Sequence, residues 1–287
     1  MMSTALSVIE PVDYLLVGHL TQDITPSGLR LGGTAAYSAL TAHALGYKVG
    51  VVTSARADID LTPLNNIPVH VIPSDYSTTF ENIPTATGRI QFIYHTANTL
   101  TAADIPPQWL AAPIIHLGPM AQEISSEIVD FLPKSFIGLT PQGWMRHWDA
   151  DGRVSPKSWT DADKLMSCAS AVIISIEDVQ GDEGVIIEMI NQVPVLIVTE
   201  ADLGARLYWN GDYRHFSPPP EDEIDATGAG DIFATSFFIR MHETHDPWES
   251  TRFATLIASR SITRVGLSSV PTPEEVASSR IIISLSI

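Results

Sequence analysis

Short apolar runs punctuate the chain at residues 14–17, 49–52, 114–117, 172–176 and 195–198. Each has strand length and lacks polar alternation, which predicts strands covered on both faces. Between them, residues 34–45, 125–132, 161–169 and 183–191 space their apolar positions with helical period. Strands alternating with helices predict a three-layer α/β unit around a mostly parallel sheet. Two regions break the rhythm, 21–33 and 75–101; the second contains Ser77-Thr78-Thr79-Phe80 and the partly alternating 89–94. Both are β-prone and predict a small antiparallel sheet beside the main one. Residues 205–209 and 213–216 flank Asn210-Gly211, a hairpin signal because both central residues of a type I′ turn need positive φ. From about Gly228 to the Pro271 region the pattern is helical.

Composition narrows the picture. A length of 287 residues with 45% hydrophobic and 17% charged positions predicts one large folded domain over 1–287, with no repeat or linker. The formal charge of −17 opposes phosphate backbones and anionic lipid, so neither nucleic acid nor membrane is expected as a partner. An anionic small molecule remains admissible, since backbone donors at a helix N-terminus reverse the field locally. One cysteine, Cys168, leaves no disulfide and no cysteine cluster for zinc, and its surroundings read as a buried helix end. The chain shows no leader pattern and no membrane-length apolar run, which predicts a cytoplasmic protein.

The strongest chemical signal is Asp225-Ala226-Thr227-Gly228-Ala229-Gly230-Asp231, leading into a helix. Small residues let the N–H groups of Gly228, Ala229 and Gly230 converge on an anion, and the helix dipole adds positive potential. A carboxylate at the end of such a nest repels phosphate unless it has a task, and taking a proton from a hydroxyl in line with a γ-phosphate is such a task. The motif alone fits equally a helix start whose acidic residue complements the dipole. Gly32-Gly33 reads as a close approach of backbone to a ligand, or as a tight turn before the helix at Thr34.

The Asp225–Asp231 motif resembles the C-terminal signature of the ribokinase family, also called the PfkB carbohydrate kinases, and Leu31-Gly32-Gly33-Thr34-Ala35-Ala36-Tyr37-Ser38-Ala39 followed by Ala44-Leu45-Gly46 is similar to its N-terminal signature. The resemblance implies an ATP-dependent kinase with Mg²⁺, Asp231 as general base, and residues 21–33 and 75–101 as a lid over a small uncharged polyol. It further implies Asp23, in Gly18-His19-Leu20-Thr21-Gln22-Asp23, as a contact to substrate hydroxyls, a homodimer through the lid, and K⁺ near Asp225. Thr140-Pro141-Gln142-Gly143-Trp144-Met145-Arg146 follows the strand 136–139 and looks like a segment of the inositol-kinase-like subgroup, which places Gln142 and Arg146 near the acceptor. Arg146 as a solvated charge and Trp144 as packing is the plain alternative.

Three departures stand beside the matches. Ser175-Ile176-Glu177-Asp178 occupies the place of the family's Asn-x-x-Glu, leaving Ser175 for the nucleotide and Asp178, or alternatively Glu177, for a water-mediated metal. Thr199-Glu200-Ala201-Asp202-Leu203-Gly204 is similar to the nucleotide-binding Thr-x-Gly-x-x-Gly, with Thr199 and Gly204 kept and Ala201 replacing a glycine. Tyr37 stands where the family usually has a sugar-binding Asn, which argues against a ribose kinase proper. A nucleoside kinase of the same fold and a sensor without turnover are the rival readings. His242 and His245 lack a third ligand and are set aside as a helix end.

Overall fold

A computed structural model describes residues 10–85 and 88–281. Strands β1 (Tyr14–Val17), β4 (Val49–Ala55), β5 (Val69–Pro73), β8 (Ile114–Leu117), β9 (Phe136–Leu139), β12 (Ala171–Ser175), β13 (Val195–Thr199), β14 (Ala205–Trp209) and β15 (Asp212–Phe216) form one sheet. Strands β2 (Thr21–Thr25), β3 (Gly28–Gly32), β6 (Thr78–Thr85) and β7 (Gly88–His95) form a second, and β10 (Arg146–Trp148) pairs with β11 (Val154–Pro156) as a ribbon. The helices are α1 (Gly33–Ala44), α2 (Ala162–Met166), α3 (Glu183–Ile190), α4 (Ala229–Thr244), α5 (Pro247–Ser261) and α6 (Pro273–Ser279).

The large sheet runs β15-β14-β13-β12-β9-β8-β1-β4-β5, parallel from β13 to β5, with β14 and β15 antiparallel at one end. Its apolar strands split their side chains between two cores. Tyr14, Leu16, Val49, Val51, Ile173 and Ile197 face α1, α4 and α5, while Leu15, Val17, Val52, Val172, Ile174 and Leu196 face the layer carrying Trp109, Trp144, Leu165 and Ile186. Unbroken hydrophobicity on a period-two backbone is what a sheet covered on both faces requires.

Strand order reverses between β1 and β8: the chain winds outward to β4 and β5 from one and to β9, β12 and β13 from the other. At such a switch point the loops leaving the carboxyl ends diverge and open a crevice. Gly18 and Gly118 flank it, and a Cβ on Gly18 would collide with the Gly118 carbonyl.

Several expectations need correction. The second sheet is mixed, because β2 and β6 pair in parallel while β2–β3 and β6–β7 are antiparallel. Two hairpins distant in sequence meet side by side there, and hairpin periodicity carries no information on that pairing. Residues 126–131 are 3₁₀ rather than α-helical, entered through a Ser125 cap and left in extended backbone at Leu132 before Pro133. Cys168 lies half-buried just past α2. The Asn210-Gly211 turn is as expected, with φ of 52° and 81°.

Candidate functional site

The crevice is organised around the first turn of α4. Gly228 caps that helix in the left-handed region at φ 83°, and a Cβ there would strike the Tyr37 ring. The position therefore takes glycine for two reasons, conformation and contact. Gly230 differs: a Cβ on it would meet nothing within 4 Å, so this face of the turn lies open. The Ala229 N–H already donates to the Ala226 carbonyl at 3.2 Å, whereas the Gly228 and Gly230 amides have no acceptor among the described residues. Tyr37, 1% exposed, serves as the packing surface beneath this loop.

Asp231 is half-buried, and its Oδ1 accepts a hydrogen bond from Thr34 Oγ1 at 2.7 Å. Burial pushes its carboxyl up to about 6, against the Thr34 hydroxyl and the charges of Arg146 and Arg89, which draw it down. Thr34 Oγ1 also accepts from Gln142 Nε2 at 3.0 Å, and Gln142 Oε1 accepts from Arg146 Nη2 at 2.7 Å. The Arg146 guanidinium donates further to the Met120 carbonyl at 3.2 Å and lies over the Phe80 ring of β6, 5.6 Å from its centroid. Desolvation makes the Arg146 cation harder to keep, and Asp178, Asp231 and Glu123 offset this.

Asp23 is buried on β2, opposite Arg30 on β3 and Phe80 on β6. Burial raises its carboxyl, while Arg30, Arg89 and Arg146 pull it back. The paired glycines make room for the chain itself. A Cβ on Gly32 would come within 2.5 Å of Asp23 Oδ2, and one on Gly33 within 3.0 Å of the His19 carbonyl.

Asp225 anchors the loop before α4, its Oδ1 taking the Thr227 N–H and its Oδ2 the Gly266 N–H, both at 2.9 Å. Arg30 Nη1 lies 3.9 Å from Oδ2. Burial raises this carboxyl, yet the Thr227 and Gly266 donors outweigh it and hold it below the ordinary range. Along the sheet edge, Asp178 Oδ2 accepts from the Ser175 N–H at 2.8 Å, and Ser175 stands in register with Thr199 on the next strand. Gly204, at φ 103°, leaves no room for a Cβ against the Phe216 carbonyl, and Ala201 retains a left-handed φ of 51°. Asp178 Oδ1 has no donor among the described residues, so the residue suits a hydrated cation. Among the described residues, no cluster of three or more His, Cys, Asp or Glu is placed to hold a metal directly.

Residues 149–275 match the pfkB family carbohydrate kinases. The C-terminal part of this chain is thus similar to that family. A cytidine kinase from Thermococcus kodakarensis is 26% identical to it over 79% of this chain and 87% of the relative. An inositol 3-kinase from Zea mays is 35% identical over 33% of this chain and 25% of the relative. Solved structures share the fold. A pyrophosphate-dependent kinase in the ribokinase family, complexed with a pyrophosphate analog and myo-inositol, superposes with TM-score 0.77 at 18% identity, covering 92% of this chain and 99% of its own. Ribokinase from Thermotoga maritima gives 0.71 at 21% identity, covering 93% and 99%. The ribokinase-like α/β architecture expected from the resemblance is the one observed.

The fold brings Asp231, Gln142 and Arg146 into one hydrogen-bonded group, with Asp23 behind Gly32. Ser175, Asp178, Thr199 and Gly204 line the neighbouring strand ends. Sequence reasoning named no role for Thr34, whose only signal was its place directly after the paired glycines at a helix start. It also passed over Arg89, a β7 residue whose charge reaches Asp23, Asp178 and Asp231. Glu123 is buried and fixes the turn after β8, accepting from the N–H groups of His19, Met120 and Ala121 at 2.7–2.9 Å. His19 ties that turn to β6 through Thr78 Oγ1 at 2.6 Å and to the Asn98 carbonyl at 2.9 Å.

Proposed function

We propose that this domain transfers the γ-phosphoryl group of ATP to a hydroxyl of a small uncharged polyol, with a cyclitol ahead of a furanose sugar. The observation that carries the reading is the Asp231 carboxylate, held by Thr34 beside the open amides of Gly228 and Gly230. The acceptor O–H breaks as its proton passes to Asp231, the oxygen forms a bond to the γ-phosphorus, and the bond to the β-bridging oxygen breaks to release ADP. With its carboxyl raised to about 6, Asp231 is mostly ionised at neutral pH yet basic enough to accept a proton. The amides of the Gly228–Gly230 turn stabilise charge on the transferring group. Asp23, Gln142 and Arg146 orient the acceptor hydroxyls, with Gly32 and Gly33 shaping that wall.

Ser175, Thr199 and Gly204 face the nucleotide, and Asp178 would hold Mg²⁺ through water. The ion, when bound, neutralises donor phosphate charge. A homodimer through the lid is supported by Ile24, Leu29, Ile83 and Tyr94, apolar side chains exposed on that sheet, and sedimentation of the chain tests it. A K⁺ requirement has less support, since both Asp225 oxygens already accept backbone donors.

The specific support for a cyclitol is twofold: the inositol 3-kinase relative and the fold neighbour bound to myo-inositol. A nucleoside acceptor is the second reading, favoured by the cytidine kinase relative that spans most of the chain. Product formation from myo-inositol, ribose, fructose and cytidine, each with ATP and with pyrophosphate, separates these. Preferential turnover of cytidine, or of a sugar phosphate, would overturn the cyclitol reading, and turnover with pyrophosphate alone would overturn ATP as donor.

A further inference from the structure

The hydrogen bonds leading to Asp231 have a determinate direction. Arginine donates and never accepts, so the Gln142 oxygen faces Arg146 and its amide nitrogen faces Thr34. A flipped Gln142 would set N–H against N–H. Thr34 Oγ1, receiving a proton from Gln142, has its single hydrogen left for Asp231 Oδ1, 2.7 Å away. Met120 Sδ packs 3.3 Å from both the Thr34 hydroxyl and the Thr34 backbone nitrogen, filling the space around this side chain. Asp231 Oδ2 has no donor among the described residues.

We propose that Thr34 and Gln142 are positioning residues for phosphoryl transfer: a one-way relay from Arg146 through Gln142 and Thr34 immobilises Oδ1 of Asp231 and leaves Oδ2 to take the acceptor's proton. The inference rests on Asp231 being the base. Two parts of the chain far apart in sequence supply the relay: the start of α1, and the turn after β9 with β10 directly following it. A carboxylate free to rotate about its last bond presents either oxygen. One pinned by a donor on a fixed helix end presents a single oxygen in one direction, which is what proton transfer in line with phosphoryl attack requires. The charge of Arg146 polarises each link in turn. The charged and titratable groups around Asp231 are Arg146 on β10, Arg89 on β7, Asp178 after β12, Tyr14 on β1 and Tyr37 on α1. Both tyrosines are pushed above their ordinary range by burial, so they stay neutral and do not titrate alongside it.

The test compares Thr34→Val, Thr34→Ser, Gln142→Leu and Asp231→Asn in the full chain. One readout is turnover of myo-inositol and of cytidine with ATP across pH. The other is carbon-13 NMR titration of the Asp231 carboxyl, assigned by its absence in Asp231→Asn and independent of any substrate. Losing a hydrogen bond to a charged group lowers kcat roughly 10- to 100-fold in Thr34→Val and moves the carboxyl midpoint, with the acid limb of kcat, up by about one pH unit. KM changes less than kcat. Thr34→Ser, which keeps the hydroxyl, restores both, and Gln142→Leu shifts the midpoint the same way by less. An unmoved midpoint in Thr34→Val, or Thr34→Ser behaving like Thr34→Val, overturns the relay while an inactive Asp231→Asn leaves the base reading standing. An active Asp231→Asn overturns both.

Discussion

The two sides of the crevice are built differently. On the Asp231 side, side-chain hydrogen bonds join residues 108 and 197 positions apart, linking Gln142 to Thr34 and Thr34 to Asp231. On the donor side the ties are local: Asp178 accepts from the Ser175 N–H three residues away, and the Thr199 hydroxyl reaches the Ile174 carbonyl on the adjacent strand at 3.3 Å. A phosphate chain held by many backbone donors tolerates small errors in any one of them. A single proton acceptor, the role proposed for Asp231, does not, and there the holding contacts come from distant parts of the fold.

The contrast breaks most visibly at Asp231. Asp231→Asn keeps the shape but cannot accept a proton, and kcat should fall by roughly 10² to 10⁴ with KM for ATP little changed. Its effect on stability has the opposite sign. A carboxyl raised to about 6 in the folded chain favours folding less once the unfolded group ionises, so the penalty grows between about pH 4 and 6 and persists above. Melting temperatures should therefore show Asp231→Asn above the parent at pH 7, with the gap closing near pH 4. A lowered melting point with near-normal turnover would instead mark a residue that merely complements the helix dipole.

The two glycines of the turn sharpen the comparison next. Gly228→Ala forces a left-handed alanine against the Tyr37 ring and should lower stability by at least about 1 to 2 kcal/mol. Gly230→Ala meets open space, so thermal melting should hold or rise while turnover drops, because the methyl fills the mouth of the anion site. Loss of stability in both variants would show that the open face is misassigned.

Donor-side changes should be milder. Asp178→Asn preserves the bond from the Ser175 N–H and removes one charge, so the Mg²⁺ concentration for half-maximal rate should rise several-fold, on the order of one lost water-mediated contact. A fall in kcat equal to that of Asp231→Asn would place Asp178 in the chemistry instead. Smallest of all is Ala201→Gly. Relief of φ 51° exceeds the added entropy of the unfolded glycine only slightly, giving a rise of about 1 to 3 °C in melting temperature. A decrease would mean that Ala201 carries no strain.

The second sheet shows where sequence patterns stop being informative. The two β-prone regions were legible, whereas their division into the hairpins β2–β3 and β6–β7 came from the structure. The parallel pairing of β2 with β6 joins residues such as Thr21 and Thr78, and nothing within either segment specifies it. Strand β5 escaped notice for a related reason: at the sheet edge its residues 69–72 are only half-buried, so the run is less apolar than those of the inner strands.

By itself the sequence determined the alternating α/β plan, the Asn210-Gly211 turn, the glycine-lined entry to α4 and the presence of Asp231 there. These rest on local physics: apolar period, the φ that glycine permits, and the unpaired amides at a helix start. Only the tertiary structure decided which threonine holds Asp231, which glutamine donates to that threonine, and that Gly32 lies against the Asp23 carboxylate. Those facts depend on distances between residues that the chain separates by tens to hundreds of positions, and a side chain's partner across such a gap is fixed by how the layers pack, not by its own neighbours in sequence.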